Sequence, residues 1–277
     1  MRDYELDDNG YYKARLGLIV LQSDETIEQE FRAILDQSVS INHSRIYCDN
    51  IVSNKNLRLM EKELPAASAL LPDIQYDSIG YACTSGATII GSDKIESLIN
   101  KKHKSAFVTD PIRAVKKAMS TLGCRKINFV SPYQESVTKS LRDHLHANNF
   151  IIQNQISFNA SDDRNVARIS DKDSLEAILE VGKQDCEAVF ISCTNLKTFK
   201  IINEAEKVLN KPVISSNQAI SWQMLREAGI NSTAGPGILF SKHYLRASQT
   251  PTPTIKKPAN PLISLILFCF FNIMPKA

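Results

Sequence analysis

The chain has few of the features that mark nucleic-acid-binding, secreted or membrane-spanning proteins. Its 33 Lys and Arg residues nearly balance 30 Asp and Glu residues, and a net charge of +3 is too small to indicate a nucleic-acid partner. Six cysteines in 277 residues do not form a disulfide scaffold. The polar, acidic stretch 1–12 does not resemble a secretory signal. Because 43% of the residues are hydrophobic, we expect a globular, cytoplasmic protein with a buried core.

Motifs for common cofactors and metals are also missing. The chain has no G-x-G-x-x-G dinucleotide fingerprint, and Gly86 and Gly91 have P-loop spacing but are followed by Ser92 and Asp93 instead of Lys and Ser/Thr. None of the five histidines has metal-ligand spacing, and two isolated cysteines do not make a zinc site without two further ligands. We therefore expect neither a cofactor nor a metal.

No apolar run approaches the length of about 20 residues that a membrane-spanning helix needs. The longest, 262–274, has 13 residues and follows a linker, 248–261, that is rich in Pro, Thr and Lys. The apolar segment is interpreted either as a tail that packs or has no function, or as an interfacial anchor that contacts a membrane.

Short apolar runs alternate with stretches of helical periodicity along the rest of the chain. A helical stripe such as Ile112, Val115, Met119 and Leu122 follows one run and precedes the next. This alternation predicts an α/β fold with parallel sheets, in which ligands bind beyond the carboxyl ends of the strands. The predicted strands are 16–21, 78–82, 106–109, 127–131, 188–192 and 212–215.

Two of the predicted strand ends carry the same short motif. Residues 79–86 read IGYACTSG and residues 189–196 read VFISCTNL, so Cys83 and Cys193 end similar strands 110 residues apart. In each segment, a helix is predicted to begin after the Cys-Thr pair and one small polar residue. The sequence therefore indicates two similar α/β halves, each with a thiol at the same position.

A thiol at a helix N-terminus acquires a lowered pKa, because backbone N–H groups and the helix dipole favour the thiolate. We expect this at Cys83 and Cys193, although each alone also fits a small buried apolar residue. The other four cysteines, Cys48, Cys124, Cys186 and Cys269, lack such a context. Cys124 and Cys186 each precede a strand, at the edge away from the expected ligand, and are interpreted as structural. Two facing thiols suit a racemase or isomerase that works without a cofactor, because one thiolate takes a proton or attacks carbon while the other thiol delivers a proton.

The motifs around these cysteines resemble the aspartate/glutamate racemase superfamily. More closely, the sequence is similar to the maleate cis–trans isomerase and arylmalonate decarboxylase group, and within it to the ectoine-utilisation protein A branch. The resemblance extends over residues 15–240. It rests on the order and spacing of seven segments: 15–31, 81–91, 109–118, 131–135, 162–170, 192–198 and 215–230.

The resemblance implies two Rossmann-like parallel-sheet halves related by a pseudo-two-fold axis, with the active site between them. The last helices, near 217–225, would close the first half. The implied division is 14–112 with 215–245 for the first half and 113–214 for the second, followed by the linker and tail at 246–277. We also expect a homo-oligomer.

The resemblance assigns the catalytic roles to Cys83 and Cys193. In the isomerases the first cysteine attacks the substrate double bond and the second donates a proton, whereas the decarboxylases keep only the second. Backbone N–H groups and hydroxyls after each cysteine would bind a substrate carboxylate, as helix N-termini do. The residues implied are Thr84, Ser85, Gly86, Thr194 and Asn195, with Tyr133 at the family's active-site tyrosine position.

Two residues depart from the isomerase pattern. Asp24 and Asp163 stand where the isomerases have asparagine, although Asp24 also fits a helix cap and Asp163 an ordinary loop residue. Two carboxylates would repel a diacid such as maleate and suit a small, amino-acid-like carboxylic acid. The leading hypothesis is a racemase or isomerase for such an acid, implied by the branch to act in ectoine breakdown. The alternatives are maleate cis–trans isomerase and a non-catalytic ligand-binding protein of the same fold.

Overall fold

Strands and helices alternate through residues 2–5 and 11–243, the part of the chain that the computed structural model describes. The apolar segment 262–274 and its linker lie outside these residues. The strands are β1 (Ala14–Leu21), β2 (Val39–Ile46), β3 (Ser78–Ala82), β4 (Phe107–Thr109), β5 (Ile127–Tyr133), β6 (Gln155–Ala160), β7 (Ala188–Ile191) and β8 (Val213–Ser215). The α-helices are α1 (Ile27–Arg32), α2 (Asn54–Ala69), α3 (Thr84–Ile90), α4 (Ser92–Ile99), α5 (Pro111–Leu122), α6 (Glu135–Ala147), α7 (Asp163–Val166), α8 (Asp171–Gly182), α9 (Phe199–Leu209) and α10 (Ser216–Glu227).

The strands form two four-stranded parallel sheets with the same strand order. The first sheet runs β2-β1-β3-β4 and the second β6-β5-β7-β8. The predicted α/β fold with two parallel-sheet halves is therefore confirmed. Since β3 and β7 occupy equivalent positions, the segments that follow them in the two halves are equivalent as well.

The inner strands are apolar because both faces of each sheet are covered. Every residue of β3, β5 and β7 is buried, as expected for parallel strands between helix layers. The edge strands β2 and β6 are only partly buried and carry mixed polar sequences. The apolar runs predicted the other six strands but not these two.

Helix α10 follows the last strand of the second sheet but packs against β3 and β4 of the first sheet and against α5. A side chain at Gly80 of β3 would come within 2.7 Å of Met224 and 3.1 Å of Ile220, so glycine permits this close approach. The helix begins with a capping box between Ser215 and Gln218. Helix α10 therefore covers part of the first sheet.

No helix within residues 2–5 and 11–243 is both long and apolar enough to cross a membrane. The same residues contain no group of three or more His, Cys, Asp or Glu side chains arranged to hold a metal ion.

Candidate active site

Both motif cysteines lie at the carboxyl end of an inner strand, and each is almost completely buried. Cys83 caps α3, and its Sγ accepts a hydrogen bond from the Gly86 N–H at 3.2 Å. Cys193 follows β7, and its Sγ accepts a hydrogen bond from the Asn195 N–H at 3.3 Å. The expectation of a helix directly after each cysteine holds for Cys83 only, because residues 194–198 form a loop before α9 begins at Phe199. Cys193 has a φ of 118°, which lets the chain turn there.

The thiols do not have the lowered pKa that the sequence predicts. Burial raises the pKa of Cys83, and the Gly86 N–H lowers it by less. Burial raises the pKa of Cys193 well above its ordinary value, and the nearby charge of Asp163 raises it further. Desolvation of the thiolate therefore outweighs the N–H groups and the helix end. Both thiols are protonated in this closed arrangement.

A chain of hydrogen bonds connects Cys193 to a carboxylate. Tyr133, at the end of β5, donates its hydroxyl proton to Asp163 Oδ1 at 2.7 Å. The same tyrosine oxygen lies 3.0 Å from Cys193 Sγ, so it accepts from the thiol. Because burial raises the pKa of Tyr133 well above its ordinary value, the tyrosine is neutral and can pass a proton between thiol and carboxylate.

Asp163 is held by both halves of the molecule. Ser23, which follows β1, donates to its Oδ2 at 2.5 Å, and the Asn195 side chain donates to the same oxygen at 3.1 Å. Asn195 also accepts a hydrogen bond from the Glu25 N–H at 2.8 Å. Three hydrogen bonds therefore occupy most of the accepting capacity of the Asp163 carboxylate.

Asp24 is the second carboxylate of the site, and one of its oxygens has no hydrogen bond. Oδ1 accepts from the N–H groups of Thr26 and Ile27 at 2.8 and 2.9 Å, so Asp24 does cap the first turn before α1. Oδ2 is buried without a hydrogen-bond partner. The nearby Thr194 hydroxyl donates to the Ala82 carbonyl at 3.3 Å and also lowers the pKa of Asp24. Burial raises the pKa of Asp24 to about 6.

Hydrogen bonds through Ser216 connect Thr84, the residue after Cys83, with the backbone of Cys193. The hydroxyls of Thr84 and Ser216 are 2.7 Å apart, and the Ser216 hydroxyl accepts from the Cys193 N–H at 3.0 Å. The N–H groups of Thr84 and Ser85 begin α3 and have no acceptor within the helix. These two N–H groups are the ones available to a substrate carboxylate, since those of Gly86 and Asn195 bind the thiols.

Cys83, Tyr133 and Asp163 line a common cavity of about 20 Å³, which is room for about one water molecule. One wall is the loop after β2, whose Val52 N–H donates to the Ser161 carbonyl at 2.9 Å and so joins the two halves. The sequence predicted neither this wall nor its residues.

The sequence profile of the arylmalonate decarboxylase family matches residues 65–240. The chain belongs to this family. A maleate isomerase of Alcaligenes faecalis is 23% identical over 234 residues, which is 79% of this chain and 92% of that protein.

Two solved structures show the same fold. The maleate isomerase Iso from Pseudomonas putida S16 has a TM-score of 0.77 at 22% identity, covering 83% of this chain and 99% of that one. A mutant of the Nocardia farcinica maleate cis–trans isomerase with a covalently bound succinylcysteine intermediate has a TM-score of 0.76 at 22% identity, covering 82% and 98%. The proposed membership of the maleate isomerase and arylmalonate decarboxylase group is thus confirmed.

The second cysteine that lines the cavity is Cys48, whereas Cys193 lies behind Tyr133 and does not line it. Cys48 lines it beside Cys83, and its Sγ lies 3.3 Å from the Ser23 hydroxyl. The interpretation of Cys48 as a residue without a site context is therefore wrong. It follows β2, the edge strand that the apolar pattern missed, and recognising that strand would have placed Cys48 at the carboxyl edge of the sheet. Cys124 and Cys186 are buried before β5 and β7, at the opposite edge.

Proposed function

We propose that the chain is a cofactor-independent isomerase or racemase that uses Cys83 and Cys193 on opposite faces of a small carboxylic acid. The observation that carries the proposal is the hydrogen-bonded chain from Cys193 through Tyr133 to Asp163, with Cys83 lining the same cavity as Tyr133 and Asp163. Two thiols without a metal or cofactor suit transfer of a proton to or from carbon. The maleate isomerases among the relatives support the isomerase class.

In the proposed reaction, Tyr133 and Asp163 control the proton of Cys193. Transfer of the thiol proton through Tyr133 to Asp163 leaves a Cys193 thiolate. This thiolate removes the proton from the substrate α-carbon, and the thiol of Cys83 donates its proton to the opposite face. Release of the inverted acid then leaves Cys83 as a thiolate and Asp163 protonated, and return of that proton from Asp163 to Cys83 restores the starting state. Because the cavity is small, the wall formed by the loop after β2 has to move before a substrate enters.

We propose that Asp24 and Asp163 select a substrate with an amino group. The unpartnered Oδ2 of Asp24 and the charge of Asp163 favour an ammonium group over a second carboxylate. At an effective dielectric constant near 20, two unit charges 4 Å apart interact by about 4 kcal/mol. A diamino acid derivative of the kind expected in ectoine breakdown has this chemistry, and Thr84, Ser85 and Thr194 would lie near its carboxylate.

Maleate cis–trans isomerisation is the second candidate. The relatives named maleate isomerase favour it. In addition, a pKa of about 6 keeps Asp24 partly protonated near neutral pH, which reduces its repulsion of a diacid. In this reaction Cys83 would give its thiol proton to a neighbouring carboxylate, Asp24 or Asp163, and attack the double bond as the thiolate, and Cys193 would supply a proton to the adjacent carbon. After rotation about the resulting single bond, the proton returns to Cys193 as the Cys83 sulfur leaves.

The experiment that tests the proposal is incubation of the protein in deuterated water with amino acids, N-acetyl diamino acids and maleate, followed by NMR. Deuterium at the α-carbon together with inversion identifies a racemase, and conversion of maleate to fumarate identifies the cis–trans isomerase. A non-catalytic ligand-binding protein would bind one of these acids and show neither change. That result, with slow alkylation of both thiols while the acid is bound, would exclude the proposed enzyme.

A further inference from the structure

Glu30 is a buried carboxylate of α1 in the first half whose hydrogen bonds all come from residues that follow Cys193 in the sequence. Its Oε1 accepts from the N–H groups of Thr198 and Phe199 at 2.6 and 2.8 Å. Its Oε2 accepts from the Asn217 side chain at 2.7 Å. The Thr198 hydroxyl lies 3.3 Å from both oxygens. Glu30 is only 8% exposed and, with Thr198 and Phe199, borders a cavity of about 350 Å³.

These donors include the N-terminus of α9, which has no cap of its own. Thr198 occupies the N-cap position but makes no side-chain cap hydrogen bond, and the first turn contains no acidic residue. The first N–H groups of a helix need an acceptor, and a negative charge there is favourable. Glu30, which lies 168 residues before Thr198 in the sequence, supplies both the acceptor and the negative charge.

The same carboxylate also fixes the other end of the loop that carries the second thiol. Asn217 donates one amide proton to Glu30 and the other to the Thr194 carbonyl at 2.8 Å. The segment from Thr194 to Thr198 is thus held at both ends, once directly and once through Asn217. Cys193, immediately before it, has a φ of 118° that an L-residue keeps only when its surroundings impose it.

We propose that Glu30 is a positioning residue for Cys193, which caps α9 from the opposite half and so holds the 194–198 loop and its thiol in place. Glu30 does not touch the reacting atoms. Its action passes through Thr198 and Asn217 to the backbone on which Cys193 and Asn195 depend. The inference rests on the proposed function only in giving Cys193 a catalytic role.

The test is the rate at which iodoacetamide alkylates Cys193 in the full-length protein at pH 8, with each cysteine followed by peptide mass spectrometry. Cys186, which is buried away from the site, serves as an internal reference because global unfolding would expose both thiols. In Glu30→Ala we expect the ratio of Cys193 to Cys186 alkylation to rise about tenfold or more, since hydrogen bonds to a charged group are lost from the loop. Hydrogen exchange should increase at the Thr198 and Phe199 amides.

Two further variants separate positioning from a general loss of stability. Glu30→Gln retains an acceptor for the Thr198 and Phe199 N–H groups, so its alkylation ratio should lie within about threefold of wild type. Glu206→Ala is the matched control, because Glu206 is also buried and accepts from the Val213 and Ile238 N–H groups, away from the Cys193 loop.

The inference is overturned if Glu30→Ala leaves the ratio unchanged, if Glu206→Ala raises it equally, or if Glu30→Gln does not restore it. Alkylation requires no substrate, so these outcomes stand whether or not the protein isomerises any of the acids tested in deuterated water. A negative result here therefore leaves the two-thiol proposal open to its own test.

Discussion

Cys193 holds its thiol on a backbone conformation that few L-amino acids adopt. A residue in such a region costs on the order of 1–3 kcal/mol, and Cys193 is one of four non-glycine residues with positive φ among the residues that the structure describes. The other three are asparagines, which tolerate this conformation best. The unusual conformation places Sγ beside Tyr133, so the strain coincides with the proposed chemistry.

Replacement of either thiol should abolish most of the activity without unfolding the protein. We expect Cys83→Ala and Cys193→Ala each to lower turnover by at least about 100-fold, the usual contribution of a positioned acid or base. The packing cost should be about 1 kcal/mol, because only one buried atom is removed. Deuterium incorporation measures the first effect and thermal unfolding the second. Near-normal turnover in Cys83→Ala would rule out a two-thiol mechanism.

Asp24 should determine substrate choice, whereas Asp163 should affect turnover as well. Asp24→Asn should weaken binding of an amino-bearing acid and improve use of maleate, because removal of a charge at close range changes the interaction by about 4 kcal/mol at most. Asp163→Asn should in addition slow turnover, because it removes the proposed acceptor of the Cys193 proton beyond Tyr133. The measurement is kcat/KM for both substrate types.

Two outcomes would contradict this role for Asp24. Loss of all activity in Asp24→Asn with unchanged thiol reactivity would make Asp24 catalytic. If nothing changed, Asp24 would serve only as the cap of the turn before α1.

At the scale of the helix, the first turn of α3 positions Cys83 through a glycine. A side chain at Gly86 would meet the Tyr81 hydroxyl at 2.6 Å, Met60 at 2.8 Å and Cys83 Sγ at 2.9 Å. Gly86→Ala should therefore displace the thiol and reduce turnover at least about tenfold, with an overpacking cost of roughly 1–3 kcal/mol.

Gly17→Ala in β1 is the matched control for this prediction. A side chain at Gly17 would come within 3.1 Å of Ile79 and Leu71, which lie outside the site. It should destabilise the protein yet keep the turnover of its folded fraction. Equal losses of turnover in the two variants would show that Gly86 is required for stability alone.

The inner elements could be predicted from the sequence because their environment is uniform. Strand β7 is buried on both faces, so its composition is apolar throughout. Strand β6 lies at an edge with every residue at least partly exposed, and its polar sequence carried no strand signal. The Cys-Thr motif at Cys193 matches the one at Cys83 and so predicts a helix start, whereas the structure has a loop there.

The division at residues 112, 214 and 245 stays a prediction, as do the homo-oligomer and the cytoplasmic location.

Within the site, local motifs identified side chains but not their partners. Cys83 and Cys193 could be found because each ends a buried strand. The hydrogen bond from the Thr198 N–H to Glu30 joins residues that are 168 positions apart. The local sequence around either residue does not indicate this contact. The sequence does not predict the raised pKa values of the thiols for a related reason. Burial depends on the whole fold, whereas the start of a helix can be recognised from neighbouring residues.

For the whole molecule, buried carboxylic acids should make stability depend on pH near neutrality. Burial raises the pKa of Glu30 to about 7, above the usual value in an unfolded chain. The folded state therefore binds the proton more tightly, so this contribution is present at low pH and is lost as pH rises through about 7. From pH 6 to pH 8 the wild type should lose about 1 kcal/mol more stability than Glu30→Gln.

Urea unfolding of both proteins at several pH values measures this difference. The comparison cancels the other titrating groups, including Asp24, which remain in both proteins. An equal change in the stability of the two proteins over this interval would show that Glu30 has an ordinary or lowered pKa in the folded protein.

The return of α10 to the first sheet has a consequence for the order of events on the ribosome. The strands of the second sheet are contiguous in the sequence, whereas β3 is covered by Ile220 and Met224, about 110 residues after β4. At about 5–20 residues per second, that delay is roughly 5–20 s. The half that is synthesised first is therefore completed last. During that interval the apolar face of its sheet is open to other nascent chains and to chaperones.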